Sequence, residues 1–74
     1  MEQKLCCIGE NVSCEIYSIS GPNKCRLLEL GFTRGTIVKI VRKSIFSGPI
    51  EVQVRNSKVA IRNDEAENIL VIVK

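Results

Sequence analysis

The sequence predicts a mainly β fold, a small antiparallel barrel of about five short strands with one short helix inserted after the first strand. Three observations carry that prediction. The 74 residues are 45% hydrophobic but only 4% aromatic, with no tryptophan, and their wealth of Val, Ile and Leu suits strands around an aliphatic core. Apolar and polar residues alternate over short runs separated by turn residues, which is the period of half-buried strands. One stretch alone, from Gly21 to Gly35, reads as helix. A chain this size holds one domain, residues 1–74, and buries only roughly 60% of its unfolded surface, so most of its aliphatic residues must serve the core. Closure into a barrel would remove the edges that so short a sheet could not otherwise protect.

The chain opens with the short apolar lead-in Lys4-Leu5-Cys6-Cys7-Ile8, and Gly9-Glu10-Asn11 reads as a turn. Val12, Cys14 and Ile16 then alternate with Ser13, Glu15 and Tyr17. The apolar phase slips to Ile19, which predicts a bulge or strand end near Tyr17-Ser18. In the helical stretch Pro22 suits a first helical position and Gly31 supplies the stop. Cys25, Leu28 and Phe32 fall in one row with Leu27 and Leu30 beside it, leaving Lys24, Arg26 and Glu29 for solvent. So short a helix is not stable alone and needs a sheet to pack on.

Thr36 to Lys43 reads as the second strand, with Val38 and Ile40 inward and Ile37, Lys39, Val41 and Lys43 on the opposite face. Ser44-Ile45-Phe46-Ser47-Gly48-Pro49 is a loop bearing two large apolar side chains, to be folded over an open end of the core or offered as a contact surface. Ile50 to Arg55 alternates strictly, Asn56-Ser57 suits a tight hairpin connection, and Lys58 to Arg62 pairs back. Asp64-x-x-Glu67 carries a capping pattern for one helical turn, and Ile69 to Val73 is an apolar strand that closes the sheet.

Charge is unevenly placed. Net charge is +3, but residues 24–43 carry six basic residues against Glu29 alone. That block suits a solvated face or an acidic protein partner better than nucleic acid, which favours a more basic domain with base-stacking aromatics. Catalysis is not expected, because the chain has no histidine, no evident carboxylate pair and no glycine loop entering a helix. Cys6, Cys7, Cys14 and Cys25 lack the C-x-x-C spacing that brings two thiolates to one tetrahedral ion. They read as free thiols of a cytoplasmic protein, Cys14 and Cys25 being core residues and Cys6 and Cys7 incidental. Met1 to Leu5 has no apolar leader character, and no run approaches the length of a membrane span.

The run Cys25-Arg26-Leu27-Leu28-Glu29-Leu30-Gly31-Phe32-Thr33-Arg34-Gly35-Thr36-Ile37-Val38, with Gly48 to Val54, Val59 to Ala66 and Ile69-Leu70-Val71 after it, closely resembles FeoA, the small ferrous iron transport proteins A of bacteria. The resemblance covers residues 5–74 and implies an SH3-like barrel acting in the cytoplasm with a FeoB-type iron permease that carries a GTP-binding domain. It implies no catalytic role and no required cofactor. It brings an association with transition metals, Fe2+ among them, for which this sequence offers no ligand cluster. Contact with a membrane would come only through the permease. An SH3-like nucleic-acid or ribosome-associated module is the competing reading, favoured by the basic block alone.

A partner surface can be placed from the sequence. Arg26, Arg34, Lys39 and Lys43, the outward Ile37 and Val41, and Ile45 and Phe46 lie in or beside the same two elements. Apolar anchors ringed by charge are what an interface requires.

Overall fold

The structure is a computed structural model that describes residues 2–43 and 48–73. Six strands form one antiparallel sheet: β1 (Glu2–Lys4), β2 (Ser13–Ile19), β3 (Ile37–Lys43), β4 (Ile50–Val54), β5 (Ser57–Ile61) and β6 (Ile69–Val73). Their order across the sheet is β1-β6-β2-β3-β4-β5. Two short helices, α1 (Lys24–Glu29) and α2 (Asn63–Ala66), and a 3-10 turn at Leu5–Cys7 complete the chain. The inward residues of the strands, Ile16, Val38, Ile40, Val52 and Val71 among them, are buried around one core with Leu27 and Phe32.

The mainly β class holds, with one strand more than expected. Glu2-Gln3-Lys4 pairs with Leu70 to Ile72 of β6 and is exposed throughout, so it shows no alternation by which to recognise it. The apolar lead-in is the 3-10 turn that follows, anchored by buried Leu5 and Ile8. The apolar run at the C-terminus is an internal strand, between β1 and β2, as a continuous apolar segment should be. Sheet order runs from β1 to β5, and no pairing among the described residues joins those two end strands.

Both slips of register have consequences. The first falls between Ile16 and Ser18, where the change of apolar phase predicts it. The second falls between Ile40 and Arg42 and breaks the outer row expected on β3. Val41 becomes the extra residue, Arg42 pairs opposite Glu51, and Lys43 passes to the side on which the 3-10 turn lies.

The central helix is shorter than its stretch and turned from the expected face. It begins at Lys24 after a turn in which Gly21 has φ +90°, so Pro22 precedes the helix and does not start it. It ends in a Schellman motif. Gly31, at φ +108°, donates its N–H to the Leu28 carbonyl at 3.1 Å, and Phe32 donates to the Leu27 carbonyl at 3.1 Å. That geometry seats Phe32 on Leu27, and both are fully buried. Leu28 is 39% exposed and Cys25 is exposed, so neither belongs to the core. The row through Cys25, Leu28 and Phe32 assumed a helix continuing to Phe32, but Gly31 resets the phase before that residue.

Two smaller boundaries shift for local reasons. The hairpin turn is Arg55-Asn56, because Val54 pairs with Ser57, and the positive φ of 57° falls on Arg55. In α2 the cap lies at Arg62 and not at Asp64: Glu65 reaches back three residues to accept the Arg62 N–H at 2.9 Å. The fold rests on apolar packing, so adding EDTA should leave the thermal midpoint where it was. Unfolding by the chelator at neutral pH would show that a metal is structural.

Candidate functional site

The bulge in β2 and the loop after α1 build a shallow groove of about 250 Å³. Its construction can be followed residue by residue. The register shift turns Tyr17 out of the ladder, and the residue is 36% exposed. Residues 31–36 are then stitched along β2: the Gly35 N–H donates to the Ile16 carbonyl at 2.8 Å, and Ile16 donates to the Thr36 carbonyl at 2.9 Å. Thr33 and Thr36 close the loop through their hydroxyls at 2.7 Å. Arg34, held at its tip, lies with its guanidinium carbon 5.1 Å from the centroid of the Tyr17 ring, within cation–π range. Gly35 at φ +90° permits the turn that brings it there.

Phe32 forms part of the floor, while Leu28 and Lys24 line the side contributed by α1. The groove therefore joins two exposed apolar surfaces, Leu28 and Tyr17, to two cations, Lys24 and Arg34. Beside it on β3, Ile37 is 48% exposed and pairs with Glu15, two residues before Tyr17. Lys39 is exposed next along the same strand face, opposite Ser13 and Gln53. Arg34, Ile37 and Lys39 thus extend the groove onto the sheet. Such an arrangement offers apolar anchorage with positive charge at its margin, and its lining holds no carboxylate or histidine to serve Ser18 or Lys24 as a general base.

The other residues predicted for this surface fare differently. Arg26 is engaged within the molecule: its Nη1 donates to Oε2 of Glu65, a carboxylate only 3% exposed. Asn23 Nδ2 donates to the same oxygen at 3.0 Å. Lys43 is likewise engaged, its Nζ donating to the carbonyls of Cys6 at 2.8 Å and Ile8 at 3.1 Å. Val41 is half-buried at the bulge. Ile45 and Phe46 lie outside the described residues. Leu28 and Tyr17 escape the sequence reading because the helical row places Leu28 in the core and strand alternation places Tyr17 in a polar row. The phase slip at Tyr17-Ser18 was the available signal.

Fold and groove together define a small β-sheet domain with an exposed groove of apolar and basic side chains and no evident catalytic constellation among the described residues. A model of the FeoA domain matches residues 4–73, and the chain belongs to that family, which is implicated in ferrous iron transport. No curated protein sequence matches the chain. Three solved structures place it more closely. The FeoA protein of Chlorobium tepidum is 30% identical with a TM-score of 0.89, the match covering 96% of this chain and 70% of that one. FeoA of Stenotrophomonas maltophilia, solved with zinc, is 31% identical with a TM-score of 0.78 over 97% of this chain and 89% of that one. It is described as a prokaryotic SH3 domain protein with a suggested role in activating ferrous iron transport. An iron uptake regulatory protein, also FeoA, has a TM-score of 0.90 at 22% identity, covering 100% and 99% of the two chains. The SH3-like character expected of the fold agrees with these neighbours. No helix among the described residues is long and apolar enough to cross a membrane.

Proposed function

We propose that this protein is a cytoplasmic accessory protein of ferrous iron uptake that binds the cytoplasmic part of a FeoB-type, GTP-dependent iron permease. Membership of the FeoA family supports the process, and the observation that carries the binding role is the continuous surface from Leu28 and Tyr17 through Arg34 to Ile37 and Lys39. Ferrous iron is the cargo of the permease in this reading, not a resident cofactor of the domain. Apolar anchors would supply most of the affinity, while the cations would steer an acidic partner and fix its register.

Calorimetric titration of the protein against the purified cytoplasmic domains of the permease from the same genome tests this reading. Leu28→Ala and Ile37→Ala should each weaken binding by about 1–3 kcal/mol as truncated anchors, and Phe46→Ala should do the same if its loop joins the interface. Lys39→Glu should act chiefly on the association rate and on its salt dependence. Thermal midpoints of Leu28→Ala, Ile37→Ala and Lys39→Glu should stay close to the parent's, since these three changes fall at exposed positions outside the core, and the midpoint of Phe46→Ala is measured beside them. If Leu28→Ala, Ile37→Ala and Lys39→Glu bind the permease domains as the parent does across a salt series, the contact lies elsewhere, with the hairpin around Asn56 next to be tested. Tight RNA binding with no affinity for the permease domains would instead favour the nucleic-acid reading.

A further inference from the structure

β3 leaves the second half of β2 without a strand beside it. The two pair over Ser13, Cys14 and Glu15, and at Ile16 the loop before β3 takes over, Gly35 donating to its carbonyl and the Thr36 carbonyl accepting its N–H. Beyond Ile16 no strand among the described residues covers this edge, and α1 stands across the gap, so that the groove lies between β2 and the helix. The direction of the backbone along that edge follows from the bonds at its two ends. Ile16 turns both of its polar groups to the loop, away from β6. Ser20 donates its N–H to the Asn68 carbonyl at 2.9 Å, on the β6 side. Hydrogen-bonded and non-bonded pairs alternate along an antiparallel ladder, so the preceding pair, Ile19 opposite Ile69, is a non-bonded one. Ile19 therefore points its N–H and C=O away from β6 and towards the groove that it helps to line. No backbone group among the described residues is bonded to them there.

An open backbone donor and acceptor in the wall of a groove suit one kind of occupant. A folded convex face presents side chains, whereas an extended chain presents its own N–H and C=O at the spacing a strand edge needs. We propose that the groove takes an extended, acidic peptide segment of the partner, added to β2 as a strand that pairs with Ile19. The inference rests on the binding role given to this groove above and names the form of what it binds. The residue of the segment opposite Ile19 lies on the same face of the sheet. Ile19 packs there against the core, and Leu28 and Phe32 line the same groove, so that position calls for an apolar side chain. Charge fixes what stands beside it. Arg34 is set over Tyr17 towards the Ile16 end, and Lys24 opens α1 just past the Ser20 end, so a cation attends each end of the segment. No carboxylate of the lining competes for them. An apolar residue flanked by Asp or Glu is therefore complementary to the groove in both polarity and charge.

Two probes keep this inference separate from the choice of permease. A random peptide library is panned on the protein, and amide hydrogen exchange is followed by NMR on isotope-labelled protein with the enriched peptides and, in parallel, with the purified cytoplasmic domains of the permease. Enriched peptides should carry an apolar residue between acidic ones and should bind Leu28→Ala and Arg34→Glu, both changed at exposed positions, about tenfold or more weakly than the parent. Either probe should slow exchange of the Ile19 amide by about tenfold or more. N-methylation of the peptide residue opposite Ile19 should abolish binding, while N-methylation of its two neighbours, whose N–H groups face away, should be tolerated. The inference is overturned if the library yields no binder, if bound peptides leave exchange at Ile19 unchanged, or if N-methylation is tolerated at every position. Domains that bind without slowing Ile19 would overturn it and leave the permease reading standing. Peptides that behave as expected beside domains that do not bind would uphold the strand site and remove the permease as its partner.

Discussion

Leu27→Ala should destabilise the domain by about 2–5 kcal/mol, whereas Leu28→Ala, one residue on, should stay within about 0.5 kcal/mol. The first change empties a site that is fully buried and seated on Phe32; the second trims a side chain that is 39% exposed. Both residues have the same helix propensity and the same volume, so the comparison isolates burial. A domain of this size has on the order of 5 kcal/mol in total at the low end of the usual range, so the upper end of the loss for Leu27→Ala would leave about half the molecules unfolded at room temperature. Urea denaturation checks the pair, with equal m-values required for the free energies to be compared. Equal losses from both variants, or a larger loss from Leu28→Ala, would mean that the helix packs through the face expected from an unbroken row to Phe32.

That row shows where sequence reasoning succeeds and where it stops. Strict alternation marked Ile50 to Val54 and the core positions of β2 and β3, because a strand carries its burial pattern in its own period. The bulge at Tyr17 was visible as a slip of that period. β1 carried no signal, since an exposed three-residue edge strand needs none. The helix was visible but its inward face was not, because a Schellman ending at Gly31 changes which residues Phe32 meets. Side-chain partners distant in sequence were least legible. Arg26 meets Glu65 across 39 residues and Lys43 meets Cys6 across 37, and no local pattern distinguishes these cations from Arg34, set over Tyr17, or from exposed Lys39. The candidate surface was therefore legible in its β3 portion and missed in its α1 portion.

Glu65→Ala should cost about 2–4 kcal/mol at neutral pH, below the 3–5 typical of a broken buried ion pair because the Arg26 side chain is 52% exposed and can turn to water. The loss comes chiefly from the other donors. Asn23 Nδ2 and the Arg62 N–H both end on this carboxylate, which thereby ties the start of α1 to the start of α2. Burial alone would raise the pKa of Glu65; the Arg62 backbone N–H, and then Arg26 by hydrogen bond and charge, overcome it and hold the carboxyl below its ordinary 4.5. The sign follows from linkage. A carboxyl with a depressed folded pKa contributes stability that is fully present above the unfolded value and is lost as pH falls through the folded one. Parent and Glu65→Gln should thus differ most in unfolding free energy at neutral pH, and the difference should shrink on acidification below about pH 4.5. Arg26→Ala should show the same acid-side convergence, which a residue serving only a partner surface would not. Urea titrations at pH 7, 5, 4 and 3 on all three proteins decide it. A gap between parent and Glu65→Gln that is as wide at pH 3 as at pH 7 would mean that shape, not the charge-assisted network, makes Glu65 stabilising.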